Sequence, residues 1–378
     1  MNVLMLLTNP FKPDPRVHME AKSLVSAGHK VTILCWDRGE NYPREEVVDG
    51  IKIIRLRAKA AYGMPKDYAL GYLKYNLRVL EFTKGASFDA VHANDFDTLP
   101  LAFLLKKLHG WKVVYDAHDH YSSMISDVMP ARVAKFVRWI EKILAKRVDA
   151  RIAATEALGR VLFSTMPFST IMNAKELGDY KIDKDKIESL RSEFGLEGKF
   201  VIVYIGILKI WEPIPQLIEA VKTNPNVYLL LGGDGPHKDI ILGKISDAQN
   251  IKYIGWVKKE DIPKYTVLSD IIVLPSDNKK EYTRIAVGNK ILEGMAAGKP
   301  IIAGKGTEGG RIVKDCKSGM VCEFSDVECI SKSIEKLRTD KELYEFFAKN
   351  SKRCAESKYN WAEMERRLVS LYSSLQTD

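Results

Sequence analysis

The sequence predicts an α/β chain made of two doubly wound, parallel-sheet domains. Three observations carry the prediction. Short apolar runs such as NVLMLLTN (2–9), VTILCW and FVIVYIG (200–206) alternate with segments of helical periodicity. These runs are apolar at nearly every position, as strands covered on both faces of a parallel sheet are. The series is interrupted once, by polar AKELGDYKIDKD (174–185), and then begins again. With 378 residues, each half is long enough to bury its own core.

Taken in order, the first strand ends at Asn9, and the loop NPFKPDP leads into RVHMEAKSLVSAG. Asp14 is placed to cap that helix, Pro15 fits its first position and Gly28 ends it. VTILCW completes a βαβ unit whose first loop opens at the carboxyl edge, where ligands bind in such sheets. The fingerprint GxGxxG is absent from that loop, which disfavours a dinucleotide-binding dehydrogenase. GIKIIRLR, an aromatic-rich helix over Lys66–Lys84, FDAVHA, a helix over Thr98–His109 and WKVVYDAH follow. A helix over Ala131–Arg147, DARIAAT, a short helix and STIMN carry the first domain to Asn173.

The second series runs through FVIVYIG, a helix at Pro215–Lys222, VYLLLGG, IKYIGW, DIIVLPS and SGMVCEF. Inside it, NKILEGMAAGKPIIAGK (289–305) reads as a helix stopped at Gly298 and a buried strand, with Glu293 in the first turn and off the apolar face. A carboxylate there can accept hydrogen bonds from a ligand's diol, while Lys290 and the helix amides favour phosphate. A surface role for Glu293 is the plain alternative. Beyond Asp326 the chain reads as helical, and NWAEMERRLVSLYSS puts Trp361, Leu368 and Leu371 on one face that must pack somewhere.

No run of 18 apolar residues and no leader-like start are present, so a cytoplasmic chain is expected. Five cysteines without a CxxC pair argue for reduced thiols and against a disulfide framework or zinc knuckle. The net charge of +9 divides into +7 over 1–173 and +2 over 174–378. Ala131–Arg147 carries much of the excess, with six basic residues and one acidic one. Its Val133, Phe136, Val137, Ile140, Ile143 and Leu144 stand opposite Arg132, Lys135, Arg138, Lys142 and Lys146. An outer helix of the sheet is one reading; contact with an anionic membrane surface, helped by aromatics in 61–77, is the sharper one. Nothing resembles an RNA-recognition motif, so no nucleic acid partner is expected.

His118 stands in DAHDHY at a strand's end, beside Asp116, Asp119 and His120. Alternation would send His118 and His120 to one side and Asp119 to the other, which argues against a metal site. General acid/base or electrostatic work suits the pattern better, with a capping loop as the alternative. In HANDFDT, Asp97 or Thr98 is read as a helix cap and His92 as packed. GGDGP (232–236) allows close backbone approach to a ligand, or only a tight turn. GKGTEGG (304–310) presents Gly309 and Gly310 at a helix start, for an anion or for packing.

This ordered set of motifs resembles the GT-B glycosyltransferases, specifically the retaining family 4. DPRVHMEAKSLVSAGHKVTIL, VHANDFDTLPLA and VVYDAHDHY are similar to its acceptor half. YIG, LIEAV, LLLGGDGP, IKYIGWV, IPKYTVLSDIIVLPS and KILEGMAAGKPIIAG are similar to its donor half. The resemblance implies two Rossmann-like domains facing across a cleft. The first would span 1–173, completed by a terminal helix at about 359–376; the second would span 185–358. Glu293 would bind ribose hydroxyls, the backbone around Trp256 and Val257 the base, and Gly309 and Gly310 the diphosphate. Gly206 and Asn289 would line the donor site, Arg16 and Asp95 would lie on the acceptor side, and His118 near the transferred sugar.

Two positions depart from the family. Ile285 stands where the first of two paired glutamates is usual, and Ile207 and Glu212 where Arg and Lys follow YIG. Lys209 or Lys290 would replace that clamp. The implied reaction is retaining sugar transfer from a nucleotide sugar to a glycan, polysaccharide or lipid-linked acceptor. It would need no metal or cofactor, and would take place in the cytoplasm with a peripheral position at the inner membrane face. A sugar-nucleotide epimerase and a silent GT-B partner subunit are the alternatives.

Overall fold

The computed structural model describes residues 1–12, 14–60, 65–126, 129–210 and 212–377. It divides into two compact units, Met1–Met172 with Met364–Asp378, and Asn173–Glu363.

The first unit contains β1 (Asn2–Leu7), α1 (Pro15–Ser26), β2 (Lys30–Asp37), β3 (Glu45–Val48), β4 (Ile51–Arg57), α2 (Pro65–Thr83) and β5 (Ala90–Asn94). It continues with α3 (Leu99–His109), β6 (Lys112–Ala117), α4 (Tyr121–Ile125), α5 (Ala131–Ala145), β7 (Ala150–Ala153), α6 (Glu156–Phe163) and β8 (Ser169–Thr170). The strands lie in the order β3-β4-β2-β1-β5-β6-β7-β8, parallel except for the β3–β4 pair. That edge pair was not legible in the sequence, because EEVV is half or fully exposed and has no apolar run to announce it. Strand order reverses at β1, so the loops after β1, β5 and β6 meet at a switch point. Right-handed crossovers put α1 on one face of the sheet and α2, α3 and α5 on the other.

Local chemistry explains the elements. The Asp14 carboxylate accepts the Val17 amide at 3.2 Å, and Pro15 opens α1. Val3 to Leu6, Ile33, Leu34, Val113 and Val114 are buried on both faces of the sheet. α5 packs on a side that the sequence reading left open. Only Ala134, Glu141 and Ala145 are buried, while Phe136 and Trp139 are 57% and 60% exposed. Periodicity revealed an apolar stripe but not which side would be covered.

The second unit contains α7 (Lys184–Glu193), β9 (Phe200–Ile205), α8 (Ile214–Lys222), β10 (Val227–Gly232), α9 (Lys238–Ile245), β11 (Ile251–Gly255), α10 (Ile262–Leu268) and β12 (Ile272–Leu274). Then come α11 (Glu281–Ile285), α12 (Asn289–Ala296), β13 (Ile301–Gly304), α13 (Glu308–Asp315), β14 (Gly319–Cys322), α14 (Val327–Thr339) and α15 (Lys341–Ser357). The parallel sets β11-β10-β9 and β12-β13-β14 are joined by one bridge between Ile202 and Ile271. α12 ends as expected at Gly298, whose φ of +65° lets its amide reach Met295 O while Lys299 reaches Gly294 O. Glu293 lies in the second turn of α12 rather than its first.

Three further expectations change. The polar stretch 174–185, whose lack of a core pattern suggests a linker between domains, is integral to this unit: Tyr180 is buried and Lys175 bridges to Asn360. Cys316 and Cys354 form a disulfide between the end of α13 and α15, leaving Cys35, Cys322 and Cys329 as thiols. Their separation of 38 residues gave no local signal. In α16 (Trp361–Thr377) the buried stripe is Trp361, Met364, Leu368, Tyr372 and Leu375, with Leu371 half-buried. No helix among the described residues is long and apolar enough to cross a membrane.

Candidate functional site

In the first unit, α1, β5, β6 and α16 bring a charged cluster to the switch point. The Arg16 guanidinium donates to Asp116 Oδ1 at 2.7 Å and to Ile171 O at 2.8 Å, and its Nε lies 3.1 Å from Glu20 Oε1. It is thus buried and taken up within the unit. His92 bridges the Tyr372 hydroxyl at 2.8 Å and Asp116 at 3.4 Å, so it packs as expected. Burial by itself would raise Asp116, but Arg16 and His118 more than offset it and hold that carboxyl well below its usual range. Burial and the neighbouring Asp116 push Glu20 well above its usual range.

β6 ends at Ala117, so strand alternation does not extend to His118 and His120, contrary to the sequence reading. His118 Nε2 lies 3.1 Å from Asp116 Oδ2, and its Nδ1 3.6 Å from Asp95 Oδ2. His120 instead meets the hydroxyls of Ser122 and Ser123. Asp95 also accepts the His118 amide at 2.8 Å, from a left-handed backbone with φ of +62°. Asp97 accepts the Thr8 hydroxyl instead of capping α3, and burial raises it to about 7.

Burial opposes charge on His118, but Asp95 and Asp116 outweigh it and raise the imidazole to about 9. It is therefore a cation at neutral pH. An NMR titration of this ring is expected to centre near 9, and Asp95→Asn to move it back towards the ordinary range. Because the folded value is raised, the stability it contributes is present below the unfolded value and lost as pH rises through about 9. A wild-type midpoint at an ordinary histidine value would refute the ion cluster.

Donor atoms of Glu20, Asp116 and His118 lie within 4.8 Å of one another, a spacing that could suit a metal. Arg16 already contacts both carboxyl groups, so a further cation would face a fixed positive charge.

In the second unit the loops after β9, β12, β13 and β14 enclose a cavity of about 540 Å³, lined in part by Glu212, Ser276, Gly288, Thr307 and Gly309. Beside it, half-buried Lys290 places Nζ 4.3 Å from the centre of the Tyr204 ring. Among the described residues no carboxylate is within ion-pair distance of that ammonium; burial lowers its pKa, against the opposing charges of Glu293 and Glu212 farther off. A Cβ on Gly206 would lie 2.7 Å from the same Nζ, so glycine there leaves room for the cation. Lys209 is engaged with Glu212 at 3.4 Å.

Glu293 meets Lys175 at 3.6 Å, and Asn289 Oδ1 accepts from Asn173 at 2.8 Å. Trp256 is 74% exposed at the end of β11, and Val257 is buried beside it. Gly310 donates its amide to the Thr307 hydroxyl at 3.0 Å, capping α13, so that amide is not open to a ligand. A Cβ on Gly309 would strike Ile291, which explains glycine there by packing. In GGDGP the close approach is to Gly206 O and Leu208, because a Cβ on Gly233 or Gly235 would collide with them. Sequence reasoning missed Lys175 and Tyr204: one sits in a polar stretch, the other in an apolar strand, and neither has a local signature.

Residues 186–354 match the family described as glycosyl transferases group 1, and residues 13–164 the glycosyl transferase 4-like domain. Spore coat protein SA of Bacillus subtilis is 23% identical over 94% of this chain and 93% of its own length. Sucrose-phosphate synthase from Thermosynechococcus elongatus superposes with a TM-score of 0.83 at 17% identity, covering 100% of both chains. HepE from Anabaena, in complex with UDP-glucose, gives 0.75 at 18% identity over 99% of this chain and 100% of its own. The fold is that of the GT-B glycosyltransferases.

Proposed function

We propose that this chain, which carries a glycosyl transferase 4-like domain and a glycosyl transferases group 1 domain, moves a sugar with retention from a nucleotide sugar to a glycan, polysaccharide or lipid-linked acceptor. The observation that supports it most is the Lys290 ammonium, half-buried beside a glycine loop with no carboxylate in ion-pair distance among the described residues. A diphosphate is the anion that fits such a place.

In this reading Lys290 and the Gly309 amide in the first turn of α13 stabilise the departing diphosphate, while the Gly310 amide stays with Thr307. The bond from the sugar's anomeric carbon to the phosphate oxygen breaks, and its electron pair leaves with that oxygen. The acceptor hydroxyl adds on the same face, and its proton passes to the departing phosphate. Glu293 takes the ribose hydroxyls, Asn289 and Gly206 line the donor, and backbone at Trp256 and Val257 holds the base. His118 offers its charge to the transferred sugar from the acceptor half. No side-chain nucleophile and no metal is called for.

The test is to incubate the protein with UDP-glucose and candidate acceptors and read the new anomeric signal by NMR. Retention of the donor's configuration is expected. The inverted anomer would overturn the retaining part, and a changed sugar nucleotide without acceptor would favour the epimerase.

The peripheral membrane position rests on the outer helix layer of the first unit. α5 exposes Phe136 and Trp139, stacked with ring centres 5.8 Å apart, beside exposed Arg132, Lys135 and Lys142. On the same face α3 exposes Leu104 and Leu108, and α2 exposes Leu70, Leu73 and Leu77. Apolar wedges among cations suit an anionic bilayer surface. Sedimentation with anionic vesicles is expected at low salt, with loss at high salt and in Phe136→Ser/Trp139→Ser. Equal binding to neutral vesicles, or none to anionic ones, would sink this placement.

A further inference from the structure

The sheet edge at β14 holds cysteine chemistry that neither the sequence pattern nor the transfer reaction uses. Cys322, the last residue of β14, is buried; Cys329, in the first turn of α14, is half-buried. Their sulfurs are 2.9 Å apart, inside the contact distance of two unbonded sulfurs. The Cys322 thiol is also 3.1 Å from Cys329 O and 3.0 Å from the Ser333 hydroxyl, so its side chain is held towards its neighbour. Asp326 fixes the other partner by accepting the Cys329 amide at 3.1 Å. At the opposite end of β14, Cys316 is already bonded to Cys354.

We propose that Cys322 and Cys329 are a second, reversible disulfide site, oxidised by small-molecule disulfides, whose bond ties the end of β14 to α14. The more accessible Cys329 thiolate attacks one sulfur of the small disulfide and expels one small thiolate. Cys322 then gives up its proton and attacks the Cys329 sulfur, expelling the second thiolate, which takes up a proton. Two protein thiols are oxidised and one small disulfide is reduced to two thiols. Burial pushes the Cys322 thiol up to about 12, so the second step accelerates with pH. The loop closed by the bond, Glu323 to Glu328, includes Phe324 and Ser325, which form one wall of the cavity. β14 would then be pinned at both ends.

The test treats the folded protein with oxidised glutathione, quenches with acid and alkylates in denaturant without reductant. Alkylated cysteines are expected to fall from three to one, leaving Cys35, with a Cys322–Cys329 cross-link in the peptide map that dithiothreitol removes. Backbone hydrogen exchange over 323–328 is expected to slow in the oxidised form. Cys329→Ser, at the half-buried position, is expected to keep the fold and to show no loss of alkylation on oxidation. Three alkylated cysteines after oxidation, glutathione retained on Cys329 with Cys322 alkylated, or unchanged exchange in the cross-linked form would each overturn the proposal.

Discussion

Lys290→Ala is expected to abolish the thermal stabilisation that UDP and UDP-glucose give the wild type, and to lower kcat/KM by roughly 100- to 1000-fold. The size follows from the site. The ammonium lies over Tyr204 with no carboxylate in ion-pair distance among the described residues, and Glu293 and Glu212, acting from farther off, do not offset its burial, so a bound diphosphate would complete its compensation. The variant should fold at least as well as the wild type without nucleotide, because a half-buried, poorly compensated cation is a cost to the empty protein. Lys209→Ala serves as the comparison and should lose much less, since Glu212 already neutralises Lys209. Melting curves with and without nucleotide, and steady-state rates, decide the matter. Nucleotide stabilisation undiminished in Lys290→Ala would remove Lys290 from the donor site. Absence of any nucleotide shift in the wild type would instead favour the silent-partner reading.

The second large effect lies in the first unit. Arg16→Leu leaves the buried carboxyls of Asp116 and Glu20 without their shared cation, a change that costs about 3–5 kcal/mol. For a unit of this size that is a fall in Tm of roughly 6–20 °C. The pH dependence gives a separate sign. In the wild type Asp116 is depressed, so its stabilising contribution is present above its unfolded value and lost as pH falls through the depressed one. Loss of Arg16 removes a cation that lowers both Asp116 and Glu20, so both carboxyls rise in the folded variant and its deficit should be larger at pH 8 than at pH 5. Arg16→Lys should rescue only part, because an ammonium cannot meet Asp116, Glu20 and Ile171 O with one planar fork. Calorimetry across that pH range tests both statements, and an Arg16→Leu protein as stable as the wild type at both pH values would refute the cluster.

Much of the α/β organisation was legible in the chain because its causes are local. Parallel strands buried on both faces must be apolar at nearly every position, and NVLMLL and FVIVYI are. Asp14 with Pro15 and Gly298 with its left-handed φ punctuate helices through bonds to residues a turn away. The ordered motifs also brought His118, Glu293 and Lys290 to notice. What they could not convey is which groups meet across long separations. Arg16 and Asp116 are 100 residues apart, and His92 and Tyr372 are 280 apart. The same limit hid the partner of Cys316, the Lys175–Glu293 pair and the aromatic ring beneath Lys290. α5 draws the line most clearly. Its sequence by itself determined an amphipathic helix, since periodicity is a property of the helix alone; only the tertiary structure decided that Ala134, Glu141 and Ala145 go inward and Phe136 and Trp139 outward, because burial depends on what the sheet and neighbouring helices leave room for.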